Sequence, residues 1–180
     1  MVRNANGLYG ITASGSDNSS NAGTLYTTAG GYHVLASFSD LPGSHPDSLA
    51  ADQAGNLYLT YSDSYYNCSE YGQVDVEQRS SSGGWTTLTG FSMGLTELMS
   101  WISTDASGNV YGTVDNLGNY GNVYKLTCCW NYTDLHDFAG PPNDGATPEA
   151  PPVVDAQGNI YGTTQYGGTY GQGVVWEITP

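Results

Sequence analysis

"DASGNVYGT", residues 105–113, decides how this chain is read. The chain writes it again as "DAQGNIYGT" (155–163) and "DQAGNLYLT" (52–60), and more loosely as "NANGLYGIT" (4–12). The glycine of each copy falls at Gly7, Gly55, Gly108 and Gly158, at intervals of 48, 53 and 50 residues. A regular period of this size marks a repeat architecture, in which each unit is one supersecondary element that buries its apolar face against its neighbours.

Each unit carries four short segments. Segment a ends on the leading Asp, as in "HPDSLAAD" (45–52), "LMSWISTD" (98–105) and "TPEAPPVVD" (147–155). The motif itself turns the chain into segment b. A variable loop leads to segment c: "AGTLYTT" (22–28), "YGQVDVE" (71–77), "YGNVYKLT" (120–127) and "YGQGVVWEIT" (170–179). Segment d follows as "YHVLASF", "WTTLTGF" and "YTDLHDF", ending on Phe38, Phe91 and Phe138, the only phenylalanines in the chain. One core position repeated three times accounts for that coincidence. The expectation is an all-β, β-propeller-like tandem repeat of four-stranded antiparallel blades. It forms a single domain over 1–180, with units 4–51, 52–104, 105–154 and a partial 155–180.

The turn has a physical reading. The carboxylates of Asp52, Asp105 and Asp155 can accept turn amides. Gly55, Gly108 and Gly158 supply positive φ, and Asn56, Asn109 and Asn159 tolerate the left-handed region. A calcium loop of the EF-hand kind needs more carboxylates and a distal Glu, so the turn is read as structural and no metal is assigned. In the following strand the aliphatic residue and Gly share one face, Tyr and Thr the other. A strand glycine marks the close approach of another backbone.

Composition supports strands: 15 Tyr, 4 Trp and 25 Gly, with no run of helical periodicity. Seventeen acidic side chains face only Arg3, Arg79 and Lys125, a net charge of −14. Such a surface repels nucleic-acid backbones and anionic lipid. Nor is there a run long and apolar enough for a membrane span. The start "MVRNANG" has no apolar leader, so the chain is either cytosolic or exported with its leader outside this sequence; low charge with abundant Ser, Thr, Asn and Gly favours export, and an acidic habitat fits the same composition. "NSS", "NCS" and "NYT" at Asn18, Asn67 and Asn131 match the glycosylation sequon. Cys68, Cys128 and Cys129 have no zinc spacing. Two readings stay open for them: three free thiols, or a disulfide from Cys68 to one of the adjacent pair that leaves an odd cysteine for an intermolecular bond.

"DAQGNIYGTTQYGGTYGQGVVWEIT" (155–179) and "HDFAGPPNDGATPEAPPVVDAQGN" (136–159) resemble the GloVer (choice-of-anchor) tandem repeat of bacterial secreted proteins. The likeness is close in the last two units. It loosens where "GFSMGLTELMSWISTD" (90–105) lacks the family's Asp-Gly and Pro, and where Asn4 stands for the leading Asp. The "GN[LV]Y" signature also looks like NHL-type propeller repeats. The resemblance implies a propeller-like β fold, export and surface attachment, and it carries no activity with it. Counted by segments, the first unit lacks a and the last lacks d, giving fourteen strands or about three and a half units. Three completions fit: a longer parent chain, an imperfect four-bladed ring, or association of chains as a dimer or head-to-tail polymer.

No catalytic constellation emerges and no cofactor is called for. His33, His45 and His136 sit in different segments without metal spacing. Glu70, Asp75 and Glu77 read as a polar face; no phosphate loop or G-x-S-x-G is present. Aromatics carry the binding signal. Tyr65, Tyr66, Tyr71, Tyr120, Tyr166 and Tyr170 fall in the b–c loops of successive units. Repeated loops share one face of a propeller, where tyrosines can stack on sugar rings or pack between chains. The functional expectation is a non-catalytic extracellular repeat protein for self-assembly or surface binding. A carbohydrate-binding module is the first alternative, a propeller-type hydrolase or lyase the second.

Overall fold

The computed structural model describes residues 1–14, 23–38, 44–63, 73–92, 98–116, 119–127 and 131–180. Tyr65, Tyr66, Tyr71, Cys68, Cys128 and Cys129 lie outside the described residues, so the disulfide reading and three of the six tyrosines do too. Among the described residues every regular element is a strand and none is a helix. Aromatic and β-branched runs broken by glycine-bearing turns account for this.

Three sheets are four-stranded antiparallel meanders in chain order. The first holds β1 (Val2–Asn4), β2 (Gly7–Thr12), β3 (Thr24–Thr27) and β4 (His33–Ser37). The second holds β5 (Ser44–Ala51), β6 (Leu57–Asp63), β7 (Gln73–Arg79) and β8 (Trp85–Ser92). The third holds β9 (Leu98–Thr104), β10 (Val110–Asn116), β11 (Asn122–Leu126) and β12 (Tyr132–Asp137). A two-stranded ribbon pairs β13 (Gly145–Ala146) with β16 (Tyr166–Gly167). The fourth sheet has only β14 (Val153–Val154), β15 (Ile160–Thr163) and β17 (Val175–Ile178).

This corrects the strand count. The first unit does not lack segment a: Val2, Arg3 and Asn4 pair with Tyr9, Leu8 and Gly7 as β1. The array is therefore three full sheets and one three-stranded sheet, plus the ribbon. Among the described residues no sheet is closed or curled. The sheets also begin one segment before the motif's Asp, so the natural frame of a unit is a-b-c-d.

The motif closes the a–b hairpin through a three-residue loop. The N–H of Asp52, Asp105 and Asp155 donates to the carbonyl of the Asn four residues on, at 3.1, 3.1 and 2.9 Å. The N–H of Gly55, Gly108 and Gly158 donates back to the Asp carbonyl, with φ of 89°, 80° and 88°. That is a type I turn closed by a left-handed glycine, a conformation other residues adopt only at a cost. The asparagines do not use the left-handed region: among described residues Thr147 is the only non-glycine with positive φ. Their amides instead donate to the Asp carboxylate, as described below. In the first unit the loop is one residue shorter, and Asn4 and Gly7 pair directly across it.

The glycine of segment b has a different cause from the one expected. A Cβ on Gly10, Gly112 or Gly162 would collide with the ring of Tyr26, Tyr124 or Trp176, the residue directly opposite on segment c. The glycine makes room for an aromatic side chain laid across it, rather than for another backbone. The second unit shows the exchange: Leu59 replaces the glycine, and Glu77 replaces the ring opposite it.

The described chain falls into two compact units, Met1–Glu97 and Leu98–Pro180. In the first, Leu25, Leu49, Leu57 and Leu59 are buried between the first two sheets together with Phe38. In the second, Ile102, Val110, Val114, Val123, Tyr124 and Leu126 are fully or nearly fully buried. Phe38 and Phe138 are equivalent: each is 5% exposed. Each N–H donates to a glycine carbonyl at 3.0 Å, Gly23 for Phe38 and Gly121 for Phe138. Each also reaches a ring of the next sheet, Tyr61 at 6.5 Å and Trp176 at 5.9 Å between centroids. The repeated core position is thus a clasp from segment d to the following sheet. For Phe91 the backbone register is described, opposite Val74.

Candidate functional site

The carboxylate of each motif is saturated by its own turn. In Asp105, Oδ1 accepts the N–H of Ser107 and of Asn109, both at 2.9 Å. Its Oδ2 accepts the Asn109 side-chain amide at 2.7 Å and the Tyr111 hydroxyl at 3.2 Å. Asp155 repeats all four with Gln157, Asn159 and Tyr161. Asp52 repeats three with Asn56 and Tyr58. The motif tyrosine therefore reaches back along the hairpin to its Asp. In Tyr58, burial above all pushes the hydroxyl up to about 12.

These turns set an acid limit. Partial burial pulls the Asp105 carboxyl upward. The side-chain amide and N–H of Asn109 outweigh it and hold the group below its usual range. The Asn159 amide foremost does the same for Asp155. A depressed folded value means stability that is complete above the unfolded carboxylate range and lost as pH falls through the folded value. Asp134 opposes this: burial, with Asp137 beside it, raises its value, so protonating it favours the fold. The urea midpoint, followed by circular dichroism, is expected to stay flat from neutral pH down to about 4 and to fall only below that. A steep loss between pH 6 and 5 would contradict it.

The b–c loops of the second compact unit bring three of the predicted tyrosines to the surface. Tyr120, Tyr166 and Tyr170 are 46%, 54% and 89% exposed. None stacks on or meets another ring among the described residues. Surface tyrosines at the start of the d segments behave differently: Tyr32 lies against Tyr26, and Tyr132 against Tyr124. Two of the loop tyrosines are tied through one residue. Thr147 donates its N–H to the Tyr120 carbonyl at 3.0 Å, and its own carbonyl accepts the Gln165 N–H at 2.9 Å. Tyr166 follows Gln165 and pairs with Ala146, beside Thr147. Thr147 holds φ at 58°, a strained conformation for a β-branched residue. Such strain costs about 1–3 kcal/mol and persists only where its surroundings over-determine it. The Tyr120 ring also lies against Gly140, where a Cβ would meet it at 2.6 Å.

Next to these loops stands a pair that spacing alone does not reveal. His136 Nε2 is 2.9 Å from Asp144 Oδ2. Asp144 also accepts the N–H of Ala139 at 2.8 Å and of Gly145 at 2.7 Å. Burial pulls its carboxyl up, but the two amides and the His136 ring hold it below the usual range. The backbone carbonyl of Asp144 accepts the Gly168 N–H at 2.8 Å, joining this loop to the tyrosine loop. The ring of Phe138 meets His136 edge-on at 5.0 Å. The pair orients the 139–145 loop. His33 is exposed on β4, and His45 lies in β5 opposite Ser62. Asp75 and Glu77 flank the fully buried Val76 on β7 and so share the opposite face. Among described residues no three His, Cys, Asp or Glu converge as metal ligands would.

The last notable feature is the edge of the fourth sheet. By sequence β17 is a c strand. In the first and third sheets the c strands β3 and β11 lie between b and d and are mostly buried. Here β17 stands at the sheet edge with no d strand beside it among the described residues. Val175 is 81% exposed. Its one charge, Glu177, accepts the Tyr161 hydroxyl at 3.0 Å.

In comparisons with known proteins, the chain matches no family model and no curated sequence. No helix among the described residues is long and apolar enough to cross a membrane.

Proposed function

We propose that the chain is a non-catalytic, exported, propeller-like repeat protein whose role is assembly at a surface. The observation that carries this reading is the tandem array of antiparallel sheets whose a–b turns repeat the same bonds at Asp52, Asp105 and Asp155. The outer strands of such sheets carry backbone groups that can serve as a template for strand addition. The occupant is a strand of a second copy, paired along an outer strand. The motif resemblance to exported GloVer repeats points the same way, as does a composition poor in charge. A net charge of −14 opposes association, so assembly is expected to strengthen with salt as screening shortens the repulsion.

Light scattering across a dilution series tests this. The expected mass is a multiple of 19.0 kDa, and it rises with added salt. Val175→Lys puts a charge on the exposed edge without touching the core, and it is expected to return the particle to the monomer mass. A wild-type monomer at every concentration and salt would overturn the proposal. A reductant arm reports whether a cysteine locks the contact.

A further inference from the structure

We propose that the loop face carrying Tyr120, Tyr166 and Tyr170 binds a neutral polysaccharide, with the tyrosine rings as stacking platforms for sugar units. Single exposed aromatics are ordinary on protein surfaces. These three differ in arrangement. They come from equivalent loops of two successive repeats. The loop backbones of two are tied through one strained residue, and none is stacked on a described ring. A loop backbone ordered before binding loses less freedom on contact, which is where a shallow site gains its affinity. Tyrosine supplies a flat apolar face and a polar rim at low entropic cost. Hydroxyl-rich ligands without charge match that surface. Anionic glycans do not, because the chain carries a net charge of −14 and Asp144 adjoins the site as a carboxylate. The inference stands apart from the assembly reading, since it concerns loops and not the edge of β17.

The test is affinity electrophoresis of the intact chain through gels holding a soluble cellulose ether, a mixed-linkage β-glucan, dextran or polygalacturonate. Retardation by at least one neutral glucan is expected, and none by polygalacturonate. The variant Y166A/Y170A alters only exposed rings, and its fold can be checked by circular dichroism. It is expected to weaken retention about tenfold or more, the loss of two stacking contacts. The variant Y166F/Y170F keeps the ring faces and should retain most of the binding. No retardation by any neutral glucan would overturn the proposal. So would unchanged retention in the alanine variant, or stronger retention by the polyanion. Running Val175→Lys in parallel separates the two proposals, because loss of assembly alone leaves glucan retention in place.

Discussion

Replacing Gly112 with valine is expected to destabilise the second compact unit by about 3 kcal/mol or more, although valine is the better strand former. The reason is the ring opposite. Tyr124 is fully buried, its hydroxyl 3.0 Å from Ser100 Oγ and its ring stacked on Tyr132. A Cβ at position 112 would overlap that ring, so the ring must leave its rotamer or the sheet must part. The backbone of Gly112 is ordinary extended strand, so any loss reports packing and not torsion. The control is a double-mutant cycle with Tyr124→Ala. Alone, that truncation is expected to cost about 3–5 kcal/mol through the cavity it leaves. Together the two changes should cost clearly less than their sum, because valine then fills part of the vacated space. Natural precedent stands in the second unit, where Leu59 faces Glu77 and no ring is present. Urea denaturation of the four proteins measures the coupling. Simple additivity would mean that glycine and ring are independent, and the packing account would fail.

The same pair shows how far the amino-acid sequence could be read. The Gly after the motif tyrosine and the aromatic of "TLYT", "VYKL" or "VWEI" are both visible in the first, third and fourth units, and so is their joint loss in the second. The register that sets one opposite the other is not visible in the sequence, and without it a strand glycine reads as room for another backbone. The D-x-x-G-N turns were legible because all their partners lie within six residues. Even there the asparagine was given a torsional role, when its amide in fact binds the carboxylate. Strand β1 escaped notice because three residues carry no usable alternation. The link from His136 to Asp144, and the left-handed Thr147, depend on how a loop of "AGPPNDGAT" folds back, which no periodicity encodes. Exposure of Tyr120, Tyr166 and Tyr170 was open between stacking surface and packed ring, and only tertiary structure could decide it.

Asp105→Ala is expected to cost about 2–4 kcal/mol, large for a residue at a hairpin turn. Four donors converge on this carboxylate, and two belong to side chains that have reached it from elsewhere: the Asn109 amide and the hydroxyl of the buried Tyr111. Hydrogen bonds to an ionised acceptor are the strong kind, and a buried hydroxyl left without its acceptor carries the full desolvation penalty. Asp105→Asn should be nearly as harmful, despite its shape. An amide at this point must turn its own N–H groups toward at least one of the two donors at Oδ2, or surrender the two backbone N–H groups at Oδ1. Tyr111→Phe in the alanine background should recover part of the loss, since it removes the orphaned hydroxyl. The acid branch of the stability curve gives an independent readout. With the depressed carboxyl of residue 105 gone, the fall in urea midpoint below pH 4 should be shallower in either variant. Millimolar calcium separates this account from a cation-binding loop. A carboxylate already saturated by turn donors has no lone pair to offer without breaking the turn, so the wild-type melting temperature should not move. A calcium-dependent rise that disappears in Asp105→Ala would instead make the nine-residue motif a metal site.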